Sequence, residues 1–210
     1  MIIIMTDALE AIDNLFLVRK DCYSKQLDGL NQYIVVKKPL TPEIIQDHLD
    51  GKITIGCFQI EPQTNRVKWV CFDFDGKLTE EFEKAYKLFN KLKNNGFNPL
   101  MEFSGRRGYH IWLFIEPIDA SDAKKLAVEI SKDANPHEIF PKQDKLDKKG
   151  FGCQVKLPLG VHRESMKRSY FLDENFKPML PEKGWNILIE ISTRKKDNIS
   201  IKNMCNFIKS

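Results

Sequence analysis

Trp69-Val70-Cys71-Phe72-Asp73-Phe74-Asp75-Gly76 constrains this chain more than any other stretch: it is an apolar strand that ends in two aspartates one residue apart. Side chains alternate along a strand, so Asp73 and Asp75 project from the same face. Two carboxylates held that close repel and raise each other's pKa. A divalent cation removes that penalty, and hard ions such as Mg²⁺ take oxygen ligands of this kind. The plainer alternative is one aspartate capping the following turn and the other lying at the surface.

Around this strand the pattern alternates between helix and strand. The first thirty residues read as helical, with Leu9, Ile12, Leu15 and Phe16 at helix-like spacing. Tyr33-Ile34-Val35-Val36 reads as a strand, Thr41-Pro42 opens a helix that runs to about Leu49, and Gly51 stops it. Ile53 to Ile60 and Val67 to Asp73 read as strands joined by the Pro62-Gln63-Thr64-Asn65 turn, and together as a hairpin. From Thr79 to Asn95 the residues Phe82, Ala85, Leu88, Phe89 and Leu92 form one helical stripe, with Gly96 as its stop. Leu100 to Phe103 and Tyr109 to Ile115 are strands, and Ala120 to Ser131 is a helix. Short strands are expected at 137–140, 153–157 and 169–172, a lysine-rich loop at 142–150, and a last helix from near Ser200. Such a mixture argues for an α+β fold of mixed or antiparallel sheets flanked by helices, not for a doubly wound parallel sheet.

The second informative stretch is Glu102-Phe103-Ser104-Gly105-Arg106-Arg107-Gly108-Tyr109-His110-Ile111-Trp112. It joins two strands through a loop with two glycines, where backbone N–H groups can approach an anion closely. A serine hydroxyl, an imidazole and two guanidinium groups surround them, which are the groups wanted around a triphosphate. His110 and Trp112 share one face of their strand, Tyr109 and Ile111 the other. A basic hairpin turn beside a half-buried histidine is the alternative.

Phe72-Asp73-Phe74-Asp75-Gly76-Lys77-Leu78-Thr79 on its own looks like the first motif of haloacid-dehalogenase-type phosphatases, in which the first aspartate is a nucleophile and the second a general acid. That family has threonine where Lys77 stands and needs a later acidic pair, of which no convincing version follows. The longer pattern resembles the archaeo-eukaryotic primase superfamily: Asp-x-Asp on a strand end, a helix, then a Ser-Gly-x-x-Gly-x-His hairpin. Glu138-Ile139-Phe140-Pro141-Lys142-Gln143 and Val155-Lys156-Leu157-Pro158-Leu159-Gly160-Val161-His162-Arg163 are similar to the primases of TOTE conflict systems and CRISPR-associated primase-polymerases. The likeness runs from about Asn31 to Asp173.

The resemblance implies a primase-polymerase (RRM-like) core and a template-dependent nucleotidyltransferase that joins nucleoside triphosphates with two divalent ions, Mg²⁺ or Mn²⁺. It places the metal and catalytic acids at Asp73, Asp75 and Glu138, with Asp144 as the fallback for the third. It places nucleotide binding at Ser104, Gly105 and His110, with Arg106 and Arg107 as helpers and Lys156 and His162 beside nucleotide and template. Relatives tend to show Thr-Gly before Lys-Arg after the histidine; here Ser165-Met166 precede Lys167-Arg168, and Met166 takes a positive φ less easily than glycine, so a different turn is expected. Implied partners are nucleoside triphosphates, a single-stranded or primed DNA template, and a helicase, nuclease or CRISPR-associated protein of the same system. A non-catalytic single-strand-binding module is the rival from another class, and the intact acidic pair argues against it.

Charge and cysteine usage agree with this reading without requiring it. The net charge of +4, from 33 basic and 29 acidic residues, permits nucleic-acid binding. Lys and Arg crowd 105–107, 142–149, 163–168 and 194–196. The cysteines at 22, 57, 71, 153 and 205 lie too far apart for a zinc knuckle, so neither a disulfide nor cysteine-bound zinc is expected, and Cys57 and Cys71 read as core thiols. The apolar opening Met1-Ile2-Ile3-Ile4-Met5 is too short to span a membrane, which predicts a cytoplasmic protein. The whole reads as one domain: residues 1–30 as a helical segment packed on the core and 31–210 as the catalytic domain, either stand-alone or a fragment of a longer chain.

Overall fold

The structure, a computed structural model, describes residues 2–147 and 150–193. It opens with α1 (Ile2–Phe16), β1 (Tyr23–Gln26), β2 (Tyr33–Val36), α2 (Pro42–Leu49) and β3 (Ile55–Phe58). Then follow β4 (Arg66–Asp75), α3 (Leu78–Asn94), β5 (Leu100–Phe103), β6 (Gly108–Asp119) and α4 (Ala120–Ser131). Three short strands, β7 (Glu138–Phe140), β8 (Gln154–Lys156) and β9 (Tyr170–Phe171), and a helix, α5 (Pro181–Thr193), complete the described chain.

The strands form two sheets, ordered β2-β1-β3-β8 and β7-β4-β6-β5-β9. Every strand pairing in both is antiparallel. This is the α+β architecture that the sequence pattern predicts. The five-stranded sheet is covered on both faces, and alternation along β4 and β6 decides which residue meets which layer. Val70, Phe72 and Phe74 of β4, with Ile111 and Leu113 of β6, pack against Ala85, Leu88 and Leu92 of α3 and Leu126 and Ile130 of α4. Trp69, Cys71 and Trp112 face the other way, onto Ile12, Leu15 and Phe16 of α1, Ile55 and Cys57 of β3 and Leu188 of α5. Cys57 and Cys71 are thus core thiols, and burial pushes the Cys57 thiol up to about 12.

Three expectations need correction. The helical reading of the first thirty residues holds for α1 but not for Tyr23–Gln26, a strand paired on both sides, by β2 and β3. Tertiary pairing decides there, because Ser24 and Gln26 are buried and find their partners far along the chain, Ser24 at Gln154 of β8 and Gln26 at Arg163 N–H. β3 and β4 are not a hairpin, since they lie in different sheets. Their turn does close, with Asn65 N–H on Glu61 O and Glu61 N–H on Arg66 O. The chain nevertheless changes layers there: Ile60 enters the core under α3 and α4, and Gln59 Nε2 donates to Trp69 O at 2.6 Å. The turn after His162 keeps a left-handed residue in spite of its methionine, Met166 at φ 56° with the side chain exposed. Such a backbone costs about 1–2 kcal/mol for a non-glycine residue. α5 carries no strong sequence signal, and the helix expected from near Ser200 lies outside the described residues.

Candidate active site

The antiparallel register lines up one row of side chains across the five-stranded sheet. Glu138 of β7 lies opposite Asp73 of β4, Asp73 opposite His110 of β6, and His110 opposite Glu102 of β5. Directly opposed residues share a face, here the face of Trp69 and Trp112. The apolar core on that face ends at this row, and a cleft opens between the two sheets. Asp73, Asp75, Glu138, Ser104, Arg106, His110, Lys156 and His162 line it, with Asn31, Tyr33, Phe140 and Gln154.

Electrostatics divide the row into two parts. Glu102 is fully buried, and its charge is held by three donors. His110 Nδ1–H donates to its Oε2 at 3.0 Å and Trp112 Nε1–H to the same oxygen at 2.8 Å, while Lys156 Nζ lies 3.2 Å from Oε1. Burial opposes this carboxylate, but Lys156, His110 and Trp112 outweigh it and hold the carboxyl down to about 2. Burial likewise opposes a charged His110, and the hydrogen bond and charge of Glu102, then Asp73, prevail and raise its pKa. The His110 Nδ1 is thus engaged by Glu102, and its Nε2 lies 3.6 Å from Asp73 Oδ1. Burial raises the Asp73 carboxyl; Asp75 and Glu138 push the same way, against His110.

The acids suit a hard divalent cation by donor chemistry, and the charges of Asp75 and Glu138 add to the burial that raises the Asp73 carboxyl. Each acid has a cationic neighbour. Asp75 is gripped by Arg107 in a two-point pair of 2.8 and 3.0 Å, and Glu138 contacts Lys142. Among the described residues no three His, Cys, Asp or Glu side chains already stand as a ready-made metal site. Asp144 is away from the cleft, exposed and paired with Lys124 at 3.1 Å.

The nucleotide-binding candidates separate in the same way. Ser104, Arg106, His110 and His162 line the cleft, whereas Arg107 turns to Asp75. Gly105 shapes the hairpin loop: its φ is 90°, and a Cβ there would come within 2.9 Å of Lys167 O. Arg106 is held against Glu164. Lys156 reaches the cleft, but its ammonium is occupied by Glu102, Ser169 Oγ at 2.9 Å and Leu157 O at 3.1 Å. It anchors Glu102 and does not present a free charge to a ligand. The sequence gives little sign of Glu102, Tyr33 or Gln154 as site residues, because each acquires its place only from strand pairing.

The family model described as the archaeo-eukaryotic primase domain of TOTE conflict systems matches residues 7–202. No curated protein sequence matches the chain. Among solved structures, the archaeo-eukaryotic primase domain of the cyanophage S-2L primase-polymerase is similar, with TM-score 0.51 and 12% identity over 87% of this chain and 97% of that one. The polymerase domain of Mycobacterium tuberculosis Ligase D, solved in complex with DNA, gives TM-score 0.48 and 11% identity over 97% and 91%. At such identities the likeness concerns the fold alone. Among the described residues no helix is long and apolar enough to cross a membrane.

Proposed function

This chain belongs to the archaeo-eukaryotic primase family of TOTE conflict systems, and from that membership we propose that it is a template-directed nucleotidyltransferase acting on nucleoside triphosphates and a single-stranded or primed DNA template. The observation that carries the reading is the row Glu138, Asp73, His110: two carboxylates and an imidazole in one register, at the mouth of a cleft that Ser104 and Arg106 also line.

Primase-polymerases of this family generally use divalent ions, and Asp73, Asp75 and Glu138 are the residues that would hold them. Held there, such ions would supply Lewis-acid chemistry to an attacking 3′-hydroxyl and to the leaving pyrophosphate. The protein's own groups do the rest. Glu102 fixes His110 by its Nδ1–H, so that Nε2–H points into the cleft and donates to a phosphate oxygen. Ser104 and Arg106 supply further donors from the loop. Arg107 and Lys142 restrain Asp75 and Glu138; when those carboxylates turn inward, the two cations become available to phosphate oxygens. The basic segment 163–168 offers a track for template backbone. No side chain has to act as a nucleophile.

The test is incorporation of labelled nucleotide on a primed template with Mg²⁺ or Mn²⁺, beside phosphate release from simple esters. Extension without ester hydrolysis is expected. Ester hydrolysis without extension would mean a phosphatase built on Asp73 and Asp75, and template binding with neither activity a non-catalytic module.

A further inference from the structure

The β1–β2 hairpin carries a large share of the exposed apolar surface. Eight large apolar side chains stand exposed among the described residues, and three of them, Leu30 at 46%, Ile34 at 48% and Val35 at 42%, lie in this one hairpin. β2 is also an edge strand, paired with β1 on one side and, among the described residues, with no strand on the other. Edge strands ordinarily carry a charge, a proline or a bulge that blocks pairing with another chain. Tyr33-Ile34-Val35-Val36 has neither charge nor proline, and its ladder with β1 runs without a register shift. Lys37 and Lys38 follow only after the strand ends.

The backbone fixes which groups face the open edge. Gln26 N–H donates to Thr54 O on the β3 side, and Leu27 N–H to Gln32 O on the β2 side. These directions alternate along a strand, so Lys25 and Tyr23 also turn toward β2. Ile34 and Val36, directly opposite them, turn back toward β1. Tyr33 and Val35 are left with N–H and C=O pointing outward. When two such edges meet antiparallel, an outward residue must face an outward residue. A two-fold axis at Ile34 is the one register that pairs all of these groups within the strand, because Tyr33 of each copy then exchanges both bonds with Val35 of the other. An axis at Tyr33 or at Val35 leaves the other residue facing chain beyond the strand.

The side chains suit that register. Ile34 faces Ile34 as a non-hydrogen-bonded pair, in which Cα atoms are about 4.5 Å apart and side chains closest. Val35 faces Tyr33, Val36 faces Gln32 and Lys37 faces Asn31, so no like charges are opposed. The two Lys37 residues stand roughly 20 Å apart along the ladder at about 3.4 Å per residue, well past a Debye length of about 8 Å.

We propose that a second copy of this chain covers this edge, by antiparallel β2–β2 pairing with Ile34 on the two-fold axis. The two four-stranded sheets then become one continuous sheet. The axis is normal to that sheet, so the two clefts, each lined by its own Tyr33, open on the same side. A contact of this size makes a reversible dimer.

Sedimentation equilibrium over a concentration series should show that dimerisation for the wild-type protein. Ile34→Lys places like charges directly opposite each other and should raise the dissociation constant about tenfold or more; thermal melting checks that it folds. Ile34→Cys is the sharper probe. A Cα separation of about 4.5 Å lies within the span of about 4.4–6.8 Å that a disulfide bridges, so mild oxidation should give a covalent dimer that reductant reverses. Val35→Cys should not cross-link, because its counterpart in the other copy is displaced along the ladder. Cys22, Cys57 and Cys71 are buried, and wild-type protein oxidised in parallel is the blank for the remaining thiols. A monomer throughout the series, an Ile34→Lys protein that associates like the wild type, or an Ile34→Cys protein that cross-links no faster than Val35→Cys overturns the proposal.

Discussion

Replacing Glu102 by glutamine tests whether its buried carboxylate organises the cleft. The carboxylate is 0% exposed and faces Lys156, itself 6% exposed, and His110. A carboxyl held at about 2, against about 4.3 in an unfolded chain, corresponds to about 3 kcal/mol of stability at neutral pH. Removing one partner of a buried pair independently costs about 3–5 kcal/mol, because the other charge stays buried and uncompensated. Glu102→Gln should therefore lose about 3 kcal/mol in urea denaturation, seen as a lower midpoint at unchanged slope. The sign with pH follows from the depressed carboxyl. Its stabilisation is fully present above about 4.3 and is lost as pH falls toward 2, so the gap between variant and wild type should close over that window. A second substitution, Lys156→Met, removes the orphaned ammonium and should restore at least about 1 kcal/mol to the Glu102→Gln protein. A loss below about 1 kcal/mol, or a double variant whose loss is the plain sum of the singles, would refute the coupling.

Three further outcomes are expected. His110→Ala should weaken nucleotide affinity roughly ten- to a hundredfold, since a charge-assisted hydrogen bond is worth about 1.5–3 kcal/mol; titration of nucleotide dependence in the extension assay reads it. Asp73→Asn should leave the melting temperature of the metal-free protein unchanged or higher, because burial and the nearby acids disfavour that charge, and calorimetry would show a contrary loss of stability. Gly160→Ala should destabilise by about 1–3 kcal/mol, because a Cβ there would sit 2.0 Å from Cε1 of the fully buried His48 ring. That ring cannot give way easily, since Nδ1 accepts from Ile55 N–H and Nε2 donates to Pro158 O.

Alternation and punctuation carried much of this structure in the sequence. The apolar run of β4 places Asp73 and Asp75 on one face, the stripe of α3 marks its buried side, and Gly105, with Gly108 at the start of β6, marks the hairpin loop. The preference for Glu138 over Asp144 follows from the same logic, an acid in a strand against an acid in a lysine-rich loop, and Glu138 is the one that lines the cleft. What periodicity leaves out is which strand lies opposite which. Glu102 is two residues before Ser104 and looks like any strand acid until the register sets it beside His110. The layer change between β3 and β4 is invisible for a similar reason, because a four-residue turn reads alike whether or not the ladder continues beyond it. Met166 shows the opposite limit, a residue of poor propensity held at positive φ by the hydrogen bonds of its turn, including its own N–H to His162 O at 2.8 Å.

The most direct test of the central claim is the rate of metal-dependent extension on a primed template for the wild-type protein and for Asp73→Asn, Glu138→Gln and Asp144→Asn at matched Mg²⁺ or Mn²⁺. A catalytic ligand has to be held within about half an ångström, which a strand does better than a loop. The account predicts that Asp73→Asn and Glu138→Gln abolish extension while remaining folded, and that Asp144→Asn extends at nearly the wild-type rate. Normal extension by Asp73→Asn would contradict the assignment of the site, and loss of extension confined to Asp144→Asn would remove Glu138 from it.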